Sequence, residues 1–511
     1  MNTSPSSTAS PGSAGSTGGT TVPDARQRRA ILIAVCIALM AVIASVSGLN
    51  VAQPDLAVAF DASQRTVLWI INSYTLTLAA LLLPLGAVGD RWGRKRVLAI
   101  GLTLFGLANV AAGLAPSAGV MLAARVLAGA GAAMIMPVTL AVITSTFPAE
   151  ERGRAIGVWT GVAGGGGILG MFLSAALVDV ASWRYLFVLP VLLVVVAFVM
   201  AQRSVPDSRE ETRHSFDVVG SLASIVAVAG LVFYLQEAPE QGWGAPVPLI
   251  SLGVGLAAAG WFVRWELRRR APLLDVRLFR ERGLTSGSLG LLAVFGVQAG
   301  IFVVLYPFFQ AVLGWTGLLS TVALMPMALL MMASSGLAPR LAERIGPRAT
   351  MATGIALATT GLALIAAFVS VDGGYPALLP GMLAMGLGMG LSMTPATEAI
   401  TGALPRDRQG VASALNDVTR ELGTALGVAL LGALVSAGYR SDIDTKLSGV
   451  PANVADAARE GISSALQASH EPSLVHAAQE SFISGWQTAM WAGVAIMAVL
   501  FAYILARGPK R

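Results

Sequence analysis

Several chemically useful residue types are scarce in this sequence. Among 511 residues there is one cysteine, Cys36, which excludes an intramolecular disulfide. The three histidines, His214, His470 and His476, are too scattered to predict a metal site. No lysine stands in a G-x-x-x-x-G-K-[ST] segment, so a nucleotide-binding P-loop is not predicted either. We therefore expect no metal and no cofactor.

Charge is also scarce. Only 12% of the residues are Asp, Glu, Lys or Arg, against 55% hydrophobic residues, and the mean hydropathy is +0.71. A soluble protein of this length would need far more charge to cover its surface. The net charge of +6 is compatible with nucleic-acid binding, but the basic residues stand in short connections between apolar runs. The sequence thus predicts a protein embedded in a lipid bilayer, without a nucleic-acid partner.

The apolar runs are long enough to cross a hydrocarbon core of about 30 Å as helices. We predict fourteen spans in an all-α polytopic fold. They cover approximately residues 30–57, 67–88, 97–115, 118–147, 154–178, 183–202, 216–236, 247–265, 284–310, 318–337, 350–371, 376–404, 410–436 and 483–506.

Arginines accumulate in every second connection. The clusters include 91–96, 152–154, 203–213, 268–282, 340–348 and 406–408, whereas the alternate connections carry almost none. The positive-inside rule then places these clusters, and both termini, in the cytoplasm of a cell whose plasma membrane holds the protein. The Ser-, Thr-, Gly- and Pro-rich start of the chain predicts a disordered tail. The long outer segment 437–482 predicts short amphipathic helices.

The sequence repeats part of itself. Residues 89–95 (GDRWGRK) follow the second span and residues 342–348 (AERIGPR) follow the tenth, with acid, arginine, glycine and a second base aligned. Pro148 and Gly153 open span 5 as Pro405 and Gly410 open span 13. We predict two six-helix halves around a central site, a transporter architecture. The predicted division is 1–29 tail, 30–202 first half, 203–283 two inserted spans with basic linkers, 284–506 second half and 507–511 tail.

These segments resemble the major facilitator superfamily, and within it the fourteen-span drug–proton antiporters of the EmrB/QacA type. The resemblance covers roughly residues 30–506. Residues 86–96 (GAVGDRWGRKR) match the family's loop motif, and 69–74 (WIINSY), 182–184 (SWR) and 272–279 (PLLDVRLF) are similar to other family landmarks, as is Arg125 with Gly129 and Gly131. The resemblance implies export of small hydrophobic or amphipathic compounds in exchange for protons, by a monomer that is not an enzyme.

Two departures from the family pattern concern coupling. Relatives carry an acid in span 1, five residues before the Asn of an N-V-A-x-P segment, and here that position is Ser45, before Asn50. The span-5 motif G-P-x-x-G-G is replaced by residues 170–175 (GMFLSA). Export of one endogenous metabolite, or transport without proton coupling, therefore remains an alternative. A membrane-embedded enzyme would need a catalytic constellation that the sequence does not contain.

The loop motif predicts a conformational latch at the inner end of span 2. Asp90 is expected to accept hydrogen bonds from the backbone N–H groups that begin span 13, where the helix dipole favours a negative charge. Gly86, Arg91, Gly93 and Arg94 are the remaining latch candidates. The alternative interpretation is a basic loop that only sets membrane topology.

Ionisable groups within spans are costly, so each is a candidate functional residue. For proton coupling the candidates are Glu421, Glu398 and Asp417, with Glu421 or Glu398 expected to replace the missing span-1 acid. The alternative for Asp417 and Arg420 is a structural ion pair, because they stand three residues apart on a helix.

Candidates for the substrate pathway share a polar or adaptable side chain inside a span. They are Arg125, Arg420, Asn50, Tyr74, Gln298, Met385 and Met389. The methionines on span 12 have helical spacing and suit a promiscuous pocket, but the alternative is that they face lipid or fill the core. Glycine-rich stretches in spans 5 and 13 predict either a sliding seam between halves or static close packing.

Overall fold

A computed structural model describes residues 24–180, 182–206 and 216–509, and these ranges contain helices and connections but no β-strand. Of the predicted tail 1–29, residues 1–23 lie outside the described residues, whereas residues 25–29 already belong to the first helix, so the predicted tail is too long. The α-helices are α1 (Ala25–Val51), α2 (Gln53–Phe60), α3 (Gln64–Trp92), α4 (Arg94–Gly113), α5 (Ala118–Thr146), α6 (Ala149–Val180), α7 (Val188–Ser204), α8 (Val218–Gln241), α9 (Pro246–Glu266), α10 (Arg282–Pro307), α11 (Gly317–Ile345), α12 (Pro347–Phe368), α13 (Gly374–Gly402), α14 (Gln409–Ile443), α15 (Ala452–Glu460), α16 (Ile462–Ala468) and α17 (Pro472–Arg507).

Fourteen of the described helices are long and apolar enough to cross a membrane. They are all of the helices except α2, α15 and α16, with a 3₁₀ turn at Trp183–Phe187 extending α7 at its start. The predicted all-α fold and the predicted number of spans are therefore confirmed.

Three predicted boundaries are wrong in an informative way. The first span was predicted to run to residue 57, but α1 ends at Val51 and α2 begins at Gln53, where Pro54 occupies the first turn of the new helix. At the other end, α14 continues to Ile443 and α17 already begins at Pro472. The predicted outer segment 437–482 shrinks to 444–471, because polar helix ends project beyond the apolar stretch that hydropathy detects.

Two large buried apolar cores organise the described residues, and a third, smaller one surrounds Trp183 and Phe187. One large core is formed almost entirely by α1 and α3–α7, around side chains such as Phe105 and Trp159, and the other by α10–α17, around Met327 and Trp486. The two helix groups meet where α3 contacts α14 and where α6 contacts α11 and α13. Helices α8 and α9 pair with each other, and α8 packs on α3 and α14. The arrangement agrees with two halves and an inserted pair, whose boundaries at 202 and 284 stay predictions.

Arginine-rich connections gather at one end of the bundle, called here the basic end. Arg28 at the start of α1 forms an ion pair of 2.9 Å with Glu151 at the start of α6. Lys95 at the start of α4 donates to the carbonyl of Gln202 near the end of α7. Arg408, before α14, donates to Pro272 O in the connection from α9 to α10. At the basic end these contacts tie helices together within the first group and link the second group to the connection that follows the inserted pair.

Candidate functional site

A cavity of about 590 Å³ lies between the two halves. It extends to Gln53 and Pro307, which stand at the helix ends opposite the basic end. Apolar side chains dominate its wall. The lining residues include Val42, Ile43, Val46, Leu78, Met136, Ile168, Met171, Phe295, Phe302 and Val303, with Thr75, Gln298, Arg420, Glu421 and Thr424 as polar exceptions. A largely apolar wall with a few polar groups is typical of a small-molecule site.

The charged groups of this cavity come from α14. The Arg420 guanidinium lies 4.5 Å from the Phe295 ring centre and 5.5 Å from the Trp159 ring centre, close enough for cation–π attraction. Arg420 also donates to Asp417 at 3.5 Å. Asp417 is fully buried beneath the cavity, whereas Glu421 lines it. The predicted pair of Asp417 and Arg420 is thus present, and Glu421 is the carboxyl group that faces the cavity.

The floor of the cavity is closed by contacts between the halves. The hydroxyl groups of Thr160 on α6 and Thr394 on α13 are hydrogen-bonded at 2.8 Å. A side chain added at Gly157 would stand 2.6 Å from the carbonyl oxygen of Ser335 on α11. Since only a glycine permits so close an approach, α6 and α11 are in direct backbone contact below the cavity.

Asp90 lies where the sequence predicts it, at the junction of α3 with α14. Its Oδ1 accepts a hydrogen bond of 2.8 Å from Gly410 N, and its Oδ2 one of 3.2 Å from Val411 N. Arg94 donates to Asp90 Oδ1 at 2.8 Å and to the carbonyl of Arg406 at 3.2 Å. Asp90 and Arg94 are both buried. The carboxylate therefore joins the two halves at the start of α14, where the helix dipole favours it.

Two glycines make this junction possible. A Cβ at Gly86 would stand 2.5 Å from the Gly410 carbonyl oxygen and 2.7 Å from the Ala414 Cβ, far inside contact distance. Gly93 ends α3 with φ +102, a backbone conformation that side chains disfavour. Arg91 is exposed and borders a small cleft beside Asp90. Arg91 and Gly93 are the two latch candidates for which no direct contact between the halves is described.

Ser45 occupies a buried polar cluster on the first half. Arg125 donates to Ser45 Oγ at 3.0 Å, and Ser45 donates in turn to Asn109 Oδ1 at 2.9 Å. The Arg125 guanidinium also lies 4.2 Å from the Tyr74 ring centre. None of the described carboxylates forms an ion pair with Arg125, and its Nε and second terminal nitrogen have no hydrogen-bond partner within the described residues. The position where relatives carry an acid is thus the one that Arg125 contacts.

The predicted pathway residues divide into two groups. Gln298 and Arg420 line the central cavity, and their place on a substrate pathway stays a prediction. Tyr74 and Arg125 are fully buried behind the cavity wall. The side chain of Asn50 lies outside the described residues.

The prediction of a pocket face for Met385 and Met389 is wrong. Both side chains are fully buried in the core of the second half. Met385 packs against Gly361 of α12, and neither methionine is among the residues that line the central cavity. Of the alternatives, core packing is correct, because α12 packs along this side of α13.

Met136 and Met171 are the methionines that line the cavity, and sequence reasoning missed both, together with Phe295 and Phe302. Each stands in an apolar span where no sequence pattern singles it out from its apolar neighbours. Spacing within one helix therefore does not identify the cavity face, which depends on how the helices are rotated in the bundle.

A second cavity, of about 560 Å³, lies at the basic end between α6, α11 and α13. Its wall is charged, in contrast to that of the central cavity. The lining includes Glu150, Arg152, Arg154, Arg340, Glu343, Glu398 and Gln409. Glu398 is therefore separated from the central cavity by the closed floor and faces the basic end instead.

Two helical halves that enclose a cavity, closed at one end by contacts between them, have the architecture of a secondary membrane transporter. Residues 35–428 match the sequence profile of the Major Facilitator Superfamily. The chain belongs to this family of multi-pass membrane transporters.

Several relatives have been assigned roles in drug resistance. The chain is 33% identical over 459 residues to the multidrug efflux pump LfrA of Mycolicibacterium smegmatis, covering 88% of this chain and 90% of that protein. It is 30% identical over 485 residues to the multidrug resistance protein Stp of Mycobacterium tuberculosis, covering 92% and 90%. It is 32% identical over 430 residues to the puromycin resistance protein pur8 of Streptomyces alboniger, covering 81% and 84%.

Solved structures agree on the fold. The proton:xylose symporter XylE matches with a TM-score of 0.61 at 14% identity, covering 95% of this chain and 97% of that one. A bacterial homologue of the human lysosomal transporter Spinster, in an inward-facing conformation, matches with a TM-score of 0.61 at 19% identity, covering 95% and 98%. These similarities concern the arrangement of helices alone.

Proposed function

We propose that this protein exports small hydrophobic or amphipathic organic compounds from the cytoplasm in exchange for protons. The observation that carries the proposal is the central cavity, whose apolar wall contains one carboxyl group, Glu421, and one guanidinium group, Arg420. Apolar walls bind compounds of many shapes, and a single carboxyl group can hold either a proton or a cationic substrate. The resistance functions named for LfrA, Stp and pur8 support the same proposal.

The proposed orientation places the basic end in the cytoplasm of a plasma-membrane protein, because arginine-rich connections remain on that side. The central cavity then opens to the outside, and the protein is in an outward-open state with its cytoplasmic side closed. A monomer suffices for this arrangement, because both halves that form the cavity belong to one chain.

Asp90 is proposed to act as the latch of the closed cytoplasmic side. Its two hydrogen bonds to the start of α14 join the halves in this state, and a rocking motion that opens the cytoplasmic side must break them. Arg94 assists by bonding both to Asp90 and to the connection before α14. The latch therefore stabilises the state that is closed on the cytoplasmic side, and the state that is open on that side forms when these hydrogen bonds break.

Glu421 is proposed to carry the proton, with Asp417 as its neighbour one helical turn away. Burial disfavours the charged form of a carboxyl group and a nearby cation favours it. Arg420 lies beside both acids and favours their charged forms. A cationic substrate and a proton therefore compete for the same carboxylates. Ser45 cannot hold an exchangeable proton of this kind, which leaves the α14 acids as the carriers on the cavity side.

Export of a single endogenous compound is a second candidate function. Its support is that a relative from Streptomyces glaucescens, 29% identical over 488 residues, is named tetracenomycin C resistance and export protein. The cavity wall accommodates either a broad or a narrow substrate range.

The test compares cells with and without the gene for accumulation of ethidium and for growth on a panel of cationic, neutral and anionic antimicrobials. Several unrelated compounds should be exported, and an uncoupler should abolish export. Glu421→Gln should abolish export driven by the proton gradient, while Gln310→Glu, outside the cavity wall, serves as a charge control. Export that persists with the uncoupler would refute proton exchange, and protection against one compound only would favour the second candidate.

A further inference from the structure

Between the two cavities lies an unbroken series of buried polar groups that the transport of a drug molecule does not require. Gln409, Ser413, Asp417 and Glu421 follow one another at intervals of four residues along α14. Residues at this spacing lie one above the other on the same helix face, with Cβ atoms about 5–6 Å apart. Glu421 lines the central cavity and Gln409 lines the cavity at the basic end. The series thus runs from one cavity to the other.

The members of this series have unused hydrogen-bonding atoms. Gln409 Oε1, Ser413 Oγ and Asp417 Oδ2 have no partner among the described residues, although each side chain is at most 4% exposed. An unsatisfied buried polar atom costs about 1–3 kcal/mol. Three in line on one helix face are therefore expensive if they serve only packing.

Helix α13 contributes two further groups beside this series. Thr397, 1% exposed, also has an unpartnered hydroxyl in the described structure. It lines a narrow hollow together with Trp159, Phe295 and Arg420. The next residue, Glu398, lines the basic-end cavity with Gln409, and Glu398 Oε1 likewise has no described partner. The hollow thus connects Arg420, at the floor of the central cavity, with the helix turn that holds Glu398.

We propose that Asp417, Ser413, Thr397 and Glu398 form a proton path from the central cavity to the basic-end cavity, separate from the route of the drug. The inference rests on the proposed proton exchange and adds the route by which the proton leaves. Glu421 releases its proton to the Asp417 carboxylate. Water and the hydroxyl groups of Ser413 and Thr397 pass it on, each hydroxyl donating one proton as it accepts another. The Glu398 carboxylate receives the proton and delivers it to water in the basic-end cavity.

The path is closed in this state, as an exchanger requires. Arg420 fills the space between Trp159 of the first half and Phe295 of the second, and its positive charge repels a proton. Rocking of the halves moves Trp159 away from Phe295 and releases this plug. At the receiving end Glu398 faces charges from two other helices. They are Glu150, Arg152 and Arg154 on α6 and Arg340 and Glu343 on α11.

The test uses the full chain reconstituted into liposomes that contain a pH-sensitive dye, with ethidium as the transported probe. Proton flux evoked by ethidium and exchange of ethidium without a gradient are measured for wild type, Ser413→Ala, Thr397→Val and Glu398→Gln. Ser392→Ala is the matched control, because Ser392 is equally buried on α13 but bonds the carbonyls of its own helix.

The path predicts that evoked proton flux falls by about a hundredfold in Glu398→Gln and in the Ser413→Ala, Thr397→Val double variant, at the low end of losses from removing a proton-transfer group. Ethidium exchange should stay at the wild-type level, which shows that the variants fold. Wild-type proton flux in the variants overturns the path while leaving proton exchange intact. Ethidium transport by the wild type with no proton flux overturns proton exchange and the path together.

Discussion

At the scale of single residues, Ser45 has the most specific consequence. Its hydroxyl receives a hydrogen bond from Arg125, a fully buried cation for which the described structure provides no carboxylate. An isolated buried charge is costly, and the Tyr74 ring 4.2 Å away offsets only part of that cost. The first half thus contains the buried cation Arg125 without the acid that the family pattern has at position 45.

Replacing Ser45 by Asp should supply that acid. The new carboxylate would lie within reach of Arg125 and form a buried ion pair that can also accept a proton. We expect the number of protons moved per ethidium to rise by about one, because one carboxyl group carries one proton. The measurement is the ratio of dye-reported proton flux to ethidium flux in liposomes, with Ser45→Asn as the uncharged control. An unchanged ratio in Ser45→Asp would show that position 45 no longer takes part in coupling.

At the scale of helices, the junction of α3 with α14 depends on charge as well as on glycine. Asp90→Asn keeps an oxygen that can accept one hydrogen bond but removes the negative charge that Arg94 and the start of α14 stabilise. The favourable interaction of a partly buried acid with a helix start is worth up to about 2 kcal/mol. We expect the cytoplasmic side to close less often and ethidium export to slow by up to roughly thirtyfold, the equivalent of that free energy.

The measurement for Asp90→Asn is the initial rate of ethidium export at matched amounts of protein in the membrane. Asp372→Asn, in an exposed connection, is the control for removal of a carboxylate. Export at the wild-type rate in Asp90→Asn would contradict the latch and leave the motif with a role in topology only.

Helices and their junctions were predictable to different degrees. The position of Asp90 at the start of α14 followed from the sequence, because the repeated motif and the dipole of a helix start are both local features. The extra turns of α14 and α17 beyond the apolar stretch were not predictable from hydropathy. Met385 and Met389 illustrate the same limit for side chains, since only the rotation of α13 against α12 decides that they face the core.

At the scale of the whole molecule, the arginine asymmetry predicts one orientation. The single native cysteine allows a direct test in a Cys36→Ser background. Ser448→Cys lies between α14 and α15, and Glu281→Cys lies in the connection that precedes α10; both positions are exposed. A membrane-impermeant maleimide should label position 448 in intact cells and position 281 only after permeabilisation. The reverse labelling pattern would invert the orientation and place the opening of the central cavity on the cytoplasmic side.

The architecture could be predicted from the sequence, because fourteen apolar runs indicate the number of spans and an internal repeat indicates two halves. The proposed proton path could not. Its members are ordinary serine, threonine and glutamine residues, common as satisfied hydroxyls and amides within helices. Only the two cavities at either end, and the unused atoms between them, distinguish Ser413 and Thr397 from Ser392.

The single carboxyl group in the wall of the central cavity also sets a thermodynamic ceiling for the proposed exchange. Each proton that descends the membrane potential supplies about 2.3 kcal/mol per 100 mV, equivalent to roughly fiftyfold in concentration. A cycle in which Glu421 alone carries a proton draws on one such increment. The proposed exchange then stalls once the drug gradient reaches the value that one proton can sustain, however tightly the cavity binds the compound.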